Sequence, residues 1–371
     1  MECGGQTGRG FGEEMLGNDE RCSLSGLEFF DSEEDKKRHA KIAARAQEMY
    51  DEGRPLFTRE MIVDAQRQID ELNAGRFPEA GSLTVIGMDS CRYDNMRVLL
   101  EHERHKSSKP TMQFNDAYRL TDLTGRAAVY YGNGVTPVQI TWARHVVHID
   151  DTLNITTADV AAILDSCIGS VSRTETWQML EAIISGPDMK RLRVEKVIAF
   201  GLGNLTSGAI PGDEHRSSCM QHAVLLLLAN LLQEIMGHPV QLVAQDPSYV
   251  ATCKEVLLAR GVEIAEPESG FLLVDEHTLV FTVSCNVPVK QIVTELARPA
   301  AIIWGYVEPE HVPRTWTRNE KGVWVFPYTT DHSSPRVREM VKEYTEYLLP
   351  EDDACIRNSA LYIRKETIDA A

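Results

Sequence analysis

One run of residues constrains the fold of this chain more than any other, the run 194–205. Its apolar part predicts a buried β-strand over 194–200, which Gly201 and Gly203 follow at once. Glycines after a strand allow a tight turn and a close approach of the backbone to a ligand. The dinucleotide pattern G-x-G-x-x-G needs a third glycine where Thr206 stands, so the run favours a Rossmann-like strand and turn without fixing the ligand.

The residues after this turn alternate between helical and strand patterns. The predicted elements are a helix over about 216–236, a strand over 240–245, a helix over about 248–260, a strand over 262–264, a strand over 279–283, a helix over 289–297 and a strand over 300–304. The strands are almost wholly apolar, as expected when helices cover both faces of a sheet, and short crossovers favour parallel, right-handed connections. We therefore expect an α/β fold with a Rossmann-like, mostly parallel sheet flanked by helices.

The residues before this core predict an N-terminal helical and β extension. Residues 1–32 are rich in glycine and poor in periodic apolar positions, so we expect a disordered tail there. One helix is predicted from Ser32 to the stop at Gly53, and a second from a Thr58 cap to Gly75. Further predicted segments are strands over 82–88, 127–131 and 138–149 and helices over 156–167 and 173–184.

These patterns predict four parts of the chain. They are a disordered tail over 1–32, N-terminal helices and decorating strands over 33–190, a Rossmann-like core over 191–350 and a C-terminal segment over 351–371. Residues 76–150 form either a separate lobe or an insertion on the main sheet, and the absence of a clear linker favours the insertion. A last helix is predicted over 335–348.

Composition restricts the partners and the compartment. The formal net charge is −17 and no basic run occurs, which argues against a nucleic-acid or anionic-membrane surface. The longest apolar run, 223–232, is far shorter than the roughly 20 residues of a membrane span. Residues 1–30 show no secretory signal, and the eight cysteines form no C-x-x-C pair. We expect a cytoplasmic chain with reduced thiols, and the nucleus as a second location.

Three strand ends carry the residues that would bind a ligand, because the crevice of an open α/β sheet lies at the carboxyl ends of its strands. The candidates are Gly201, Leu202, Gly203 and Asn204 after the first strand, Asp246 and Tyr249 after the second, and Cys285 and Asn286 after the third.

Asp246 has two interpretations that the residues leave open. A carboxylate at this strand end is the acceptor that a ribose diol needs. It is also a suitable cap for a helix that begins at Ser248. The glycine-poor turn fits an adenosyl ligand without a pyrophosphate better than a dinucleotide. The sequence does not identify the cofactor, which is unknown at this stage.

The chain displays no recognisable catalytic motif. No Walker loop and no G-x-S-x-G motif occurs, so no catalytic residue is assigned. His145 and His148 with Asp150 and Asp151 look like metal ligands, but strand residues three apart face opposite sides, so no metal site is predicted.

A set of motifs resembles the SRR-like domain, named for "sensitivity to red light reduced". The motifs are Phe200-Gly-Leu-Gly-Asn204, Arg216 with Gln221-His-Ala, Asp246-Pro247-Ser-Tyr249 and Pro288-Val-Lys-Gln-Ile292. The resemblance covers about residues 190–305, and the preceding helices look like the extensions of fungal members. It implies a regulatory protein, linked in plants to the circadian clock and light signalling and in animals to haem metabolism and the clock, without a settled catalytic activity.

Two functions are therefore carried forward. The first is a regulatory protein that binds a protein partner and a small adenosyl-like ligand without turnover. The alternative is a Rossmann-like enzyme that uses an adenosyl or nicotinamide ligand, as a methyltransferase does, with Asn286 near the reacting group. Both require Gly203 and Asp246 to lie side by side.

Overall fold

The structure is a computed structural model. It describes residues 33–76, 83–94, 109–121, 135–143, 155–209, 216–266, 269–283, 285–309, 317–318, 324–325, 331–350, 356 and 358–365. The predicted tail over 1–32, the predicted strand over 127–131 and the histidines considered as metal ligands lie outside these residues.

The described elements alternate as the sequence predicts in the core. The helices are α1 (Glu33–Asp51), α2 (Arg59–Asn73), α3 (Ala117–Thr121), α4 (Thr157–Val171), α5 (Glu175–Ile184), α6 (Pro187–Lys190), α7 (Ser217–Met236), α8 (Ala251–Ala259), α9 (Val289–Leu296) and α10 (Pro335–Val341), with short 3-10 helices η1 (Leu205–Ala209) and η2 (Ser269–Leu273). The strands are β1 (Thr84–Ile86), β2 (Arg92–Asp94), β3 (Lys109–Phe114), β4 (Val138–Ala143), β5 (Lys196–Phe200), β6 (Gln241–Gln245), β7 (Val262–Ile264), β8 (Thr278–Thr282), β9 (Ala301–Gly305), β10 (Thr317–Arg318), β11 (Trp324–Val325), β12 (Tyr344–Leu348) and β13 (Ser359–Arg364).

A seven-stranded sheet organises the core. Its order is β12-β13-β9-β8-β5-β6-β7, and the pairs from β9 to β7 are all parallel. With the parallel strands numbered in chain order from β5 as 1 to β9 as 5, their order across the sheet from β7 to β9 is the doubly wound order 3-2-1-4-5, which reverses between β5 and β8. The predicted Rossmann-like, mostly parallel sheet is confirmed.

Both faces of the sheet are buried, which explains why its strands are apolar at consecutive positions. Val197 and Ala199 of β5 join a core with α4, α5, α7 and α8, whereas Ile198 and Phe200 join a second core with the N-terminal extension, α9 and α10. Helix α7, which follows β5, therefore lies on one face, and α9, which follows β8, lies on the other. This divergence leaves a crevice at the carboxyl ends of β5 and β8.

The N-terminal extension packs on the second core. Thr58 caps α2 as predicted, since its side chain accepts a hydrogen bond from Met61 N. The predicted strand over 82–88 is shorter, at Thr84–Ile86, and β4 occupies the start of the segment predicted over 138–149. Strand β3, which pairs antiparallel with β4, was not predicted because the charged residues before it mask its short alternating pattern.

The predicted helix over 335–348 is wrong in its second half. Helix α10 ends at Val341, and residues 344–348 form β12, which pairs antiparallel with β13. From residue 345 onward the segment alternates half-buried Thr345 and Tyr347 with exposed Glu346 and Leu348, a period-two pattern typical of a strand at a sheet edge. Strand β13 lies between β9 and β12, so the C-terminal segment contributes to the main sheet.

Helix α7 is the one described helix that is long and apolar enough to cross a membrane by length and composition. Just over half of its apolar window, 56%, is buried inside the protein. The buried residues, among them Leu225 and Leu228, pack in the first core beside the sheet. Core helices pass the same test, so this feature is weak support for a membrane span.

Candidate functional site

The candidate residues of the three strand ends come together at the carboxyl edge of β5, β6 and β8, and we call residues 201–204, 246–249 and 285–286 the rim. Its two halves are joined directly, because Gly203 N donates a hydrogen bond to Asp246 Oδ2 at 2.6 Å. The backbone of the turn is also tied to the end of β6 by the bond from Gly201 N to Gln245 O, at 3.0 Å. The expected adjacency of Gly203 and Asp246 is confirmed.

Both glycines of the turn are required by space and by backbone conformation. Gly201 has a φ of +65°, and a Cβ there would lie 2.4 Å from Cys285 Sγ. Gly203 has a φ of +80°, and a Cβ there would lie 2.3 Å from Ser218 Oγ. Glycine is the residue that adopts these angles without steric cost. The turn therefore brings the ends of β5 and β8 into contact through Gly201 and Cys285.

Asp246 closes a turn and does not cap a helix. Its Oδ1 accepts hydrogen bonds from Ser248 N at 2.8 Å and from Ser248 Oγ at 2.5 Å. Helix α8 begins only at Ala251, with Val250 as its N-cap and no side-chain cap, so the predicted start at residue 248 is wrong. Pro247, the Ser248 bonds and the bond from Tyr249 N to Asp246 O hold residues 246–249 in a turn. Asp246 is half-buried, and three donors leave its carboxylate one further acceptor direction.

A histidine that the sequence analysis did not single out as a site residue supports the rim from within. His222 of α7 is fully buried, and its Nδ1 lies 2.7 Å from the carbonyl oxygen of Ser218. A carbonyl only accepts, so Nδ1 donates, and Nε2 accepts from the hydroxyl of Tyr249 at 2.7 Å. Burial lowers the pKa of His222 to about 4 and raises that of Tyr249, so both stay neutral near pH 7.

The remaining rim residues are divided between the interior and the surface. Leu202 packs in the first core, and Tyr249 is buried. Asn204 Oδ1 accepts from Thr206 N at 2.8 Å and from Cys253 Sγ at 2.9 Å, which turns the amide towards the interior. Asn286, in contrast, is exposed.

Cys285 lies between the two halves of the carboxyl edge. Its side chain is buried, and desolvation raises its thiol pKa to about 12. The thiol is therefore protonated at neutral pH and unsuited to nucleophilic attack. Its position beside Gly201 makes it a packing residue of the crevice floor.

A second group of polar residues lies at the carboxyl ends of β8 and β9, and we call Asp116, Lys290, Gln291, Asp331 and His332 the charge cluster. Lys290 N donates to Asp331 Oδ1 at 2.8 Å, and His332 Nδ1 lies 3.4 Å from Asp116 Oδ2. Burial raises the pKa of Asp331 to about 7, although the charge of Lys290 opposes the shift.

Local sequence patterns do not reveal this cluster, because its members come from distant segments. Asp116 precedes the short α3, Lys290 lies in the first turn of α9, and Asp331 follows a stretch without a predicted element. The one available signal was Lys290-Gln291, which the family resemblance includes but which periodicity treats as a helix start. Within the described residues, no group of three or more His, Cys, Asp or Glu is arranged to hold a metal ion.

Comparisons with solved structures give weak likenesses. The DhpI–SAH complex aligns with 57% of this chain and 97% of its own chain, at 12% identity and a TM-score of 0.24. The complex of Haemonchus contortus phosphoethanolamine N-methyltransferase 2 with phosphomonomethylethanolamine and S-adenosylhomocysteine aligns with 64% of this chain, also at 12% identity and a TM-score of 0.24. The aligned part spans about half, 54%, of that second protein. These scores carry no functional conclusion.

The comparison with protein families is more informative. No curated protein matches the chain. The family model of the SRR1 domain matches residues 169–347, a range that contains the whole rim together with Lys290, Gln291, Asp331 and His332 of the charge cluster. This match supports the assignment of the core of the chain to the SRR-like family.

Proposed function

We propose that this chain is a regulatory SRR-like protein that binds a small adenosyl-type ligand at the rim without turning it over. One observation carries the proposal, the 2.6 Å hydrogen bond from Gly203 N to Asp246 Oδ2. It joins the glycine turn after β5 to the acid that ends β6, next to the point between β5 and β8 where the strand order reverses.

The hydrogen bonds of the rim favour an adenosyl group over a dinucleotide. A pyrophosphate needs free backbone N–H groups, but the N–H groups of Gly201 and Gly203 are already bonded to Gln245 O and to Asp246. A ribose hydroxyl donates, and the carboxylate of Asp246 has an acceptor direction left for it. The rim thus suits a neutral sugar next to a purine better than a row of phosphates.

The protonation states at the rim favour binding over catalysis. Cys285 is a protonated thiol, and His222 is a neutral imidazole with both ring nitrogens hydrogen-bonded. The pKa of Tyr249 is raised by burial, so its hydroxyl does not ionise near pH 7. A general acid or base works best with a pKa near the working pH, and these three groups are far from it.

The first test is calorimetric titration of the full chain with S-adenosylhomocysteine, S-adenosylmethionine and NAD⁺. We expect the two adenosyl compounds to bind and NAD⁺ to bind more weakly or not at all. At about one hundred times Kd, a bound ligand stabilises the fold by roughly 2.7 kcal/mol, which a thermal-shift assay confirms independently.

Asp275→Asn is a matched control for Asp246→Asn. Asp275 also locks a turn, since it accepts from His277 N at 3.0 Å and from Lys196 Nζ at 2.7 Å, but it precedes β8 at the opposite edge of the sheet. We expect Asp246→Asn to abolish adenosyl binding and Asp275→Asn to preserve it. Equal affinities in the two variants, or no binding to the wild type, would overturn the proposal.

The finer roles implied by the family resemblance are part of the same proposal: action in a clock or light-signalling pathway, a link to haem metabolism, a nuclear location, a protein partner and a fungal-type extension. Capture of partners from a cell extract, with and without S-adenosylhomocysteine, tests the regulatory part. A partner whose capture changes with the ligand for the wild type but not for Asp246→Asn supports it, and ligand-independent capture contradicts it.

A further inference from the structure

We propose that the charge cluster is a second small-molecule site, separate from the rim, that binds an oxyanion of the carboxylate or phosphate type. The proposal does not depend on the adenosyl ligand. It rests on the burial of opposite charges, on buried donors without partners and on their common place at the ends of β8 and β9.

The charges of the cluster are shielded from water. Lys290, Asp331 and Asp116 are 6%, 5% and 3% exposed. Lys290 Nζ lies 3.4 Å from the position that a Cβ on Gly305 would take, which places the ammonium at the end of β9. Buried charges are costly unless they are paired or serve a ligand, so such a group at strand ends is a candidate binding site.

Hydrogen-bond donors without partners accompany these charges. Among the residues that the structure describes, Gln291 Nε2, Thr282 Oγ1 and Trp304 Nε1 are buried and lack a partner. Gln291 Oε1 accepts from Ala117 N at 3.2 Å, directly after Asp116, so its amide lies within the cluster. Buried donors rarely stay unpaired in native proteins, and all three groups can donate.

The strand register brings two of these donors to the same place. Val280 of β8 pairs with Ile302 of β9, so the next residues on the same face, Thr282 and Trp304, are neighbours at the strand ends. Val280, Ile302 and Trp304 all belong to the second core, which places Thr282 and Trp304 on that face of the sheet. The unpartnered nitrogens of Gln291 and Trp304 can only donate, so the missing partner is an acceptor such as an oxyanion.

The state of Asp331 decides whether an anion fits. When Asp331 is ionised, the negative charges of Asp331 and Asp116 exceed the positive charge of Lys290, so the cluster repels an anion. With Asp331 protonated, Lys290 balances Asp116, and His332 adds a positive charge when it is protonated. The groups that face Asp331 are Lys290 on α9, Asp116 before α3 and the thiol of Cys285 after β8, while Glu295 and Arg336 pair with each other at 2.5 Å further along α9 and α10.

Because the pKa of Asp331 lies near 7, anion binding should take up a proton at neutral pH. If only the protonated form binds, affinity falls by about tenfold between pH 6 and pH 8. Acetate and sulfate are suitable probes, since neither titrates in this range, and they distinguish a carboxylate from a tetrahedral oxyanion. Each is titrated into the full chain by calorimetry in sodium chloride of matched ionic strength.

We expect saturable binding of at least one probe at pH 6 and a loss of about tenfold at pH 8. Asp331→Asn keeps the acceptor for Lys290 N but cannot ionise, so it should bind at pH 8 as tightly as the wild type does at pH 6. A merely structural Asp331 would not produce this gain. Gln291→Glu should lose binding, because a carboxylate replaces the unpaired donor.

Asp246→Asn serves as the rim control and should leave oxyanion binding unchanged, whereas Asp331→Asn should leave adenosyl binding unchanged. Circular dichroism verifies that each variant is folded, and the Asp331→Asn comparison decides the question even if Gln291→Glu does not fold. The proposal is overturned if neither probe binds at pH 6, or if Asp331→Asn keeps the pH dependence of the wild type.

Discussion

The rim and the charge cluster lie on the same edge of one sheet and differ in how their polar groups are satisfied. At the rim, the N–H groups of Gly201 and Gly203 and both carboxylate oxygens of Asp246 have partners within the chain. In the charge cluster, within the part of the chain that the structure describes, Gln291 Nε2 is buried without a partner and Asp331 accepts a hydrogen bond from Lys290 N at 2.8 Å. Internal hydrogen bonds thus fix the shape of the rim, whereas the charge cluster retains hydrogen-bond donors for a ligand.

The largest expected effect is an opposite pH dependence of the stability that the charge cluster and the rim contribute. Burial raises the folded-state pKa of Asp331 to about 7, above its unfolded value, so its contribution to stability is present at low pH and is lost as pH rises towards 7. Burial lowers the folded-state pKa of His222 to about 4, so its contribution is present above pH 6.5 and is lost as pH falls towards 4. Between pH 5 and pH 7 the two effects oppose each other.

Substituting either Asp331 or His222 should therefore leave the pH dependence of stability that the other group causes. On going from pH 7 to pH 5, we expect Asp331→Asn to lose about 2 kcal/mol of unfolding free energy relative to the wild type and His222→Gln to gain about 2 kcal/mol, so the two variants should diverge by about 4 kcal/mol. Urea unfolding at both pH values measures this, and all other groups are common to the variants. If the free energy of unfolding changed with pH in the same way in both variants, the proposed difference between the rim and the charge cluster would be contradicted.

The next effect concerns the contact between the strand ends. Gly201→Ala combines a left-handed backbone with a Cβ placed 2.4 Å from Cys285 Sγ, and we expect a loss of about 3 kcal/mol. Gly237→Ala is the control, because Gly237 has a φ of +70° but no atom within 4 Å of the added Cβ.

The control should cost only about 1 kcal/mol, the backbone strain alone. Equal losses in the two alanine variants, measured by urea unfolding, would show that the turn after β5 is not packed against Cys285.

The smallest effect concerns the buried support of the rim. Tyr249→Phe removes the hydroxyl that donates to His222 Nε2 and leaves a buried acceptor unpaired, so we expect a loss of about 1.5 kcal/mol. Tyr347→Phe removes a hydroxyl that donates to Asp188 Oδ2 in a more exposed place, and it should cost about 0.5 kcal/mol. Thermal or urea unfolding compares them, and a reversed order would mean that the His222–Tyr249 pair does not stabilise the rim.

The rim could be predicted from the sequence and the charge cluster could not, for physical reasons. Consecutive parallel strands pair directly here, so an apolar strand that ends in glycines and a next strand that ends in an acid suffice to place Gly203 beside Asp246. The cluster needs Asp116, Lys290 and Asp331 from three segments that only tertiary packing joins.

The C-terminal strands, too, could not be predicted from local sequence patterns. Residues 344–348 satisfy a helical pattern as far as apolar spacing is concerned, and only pairing with β13, which inserts between β9 and β12, fixes them as a strand. Local patterns thus predicted the parallel half of the sheet, whereas the antiparallel half depends on contacts between distant residues.

The most direct measurement for the central claim is a crystal structure of the full chain with S-adenosylhomocysteine. We predict a ribose hydroxyl within hydrogen-bond distance of the Asp246 carboxylate and the ligand lying against the turn of Gly201 and Gly203. A ligand bound elsewhere, with the rim empty at saturating concentration, would contradict it.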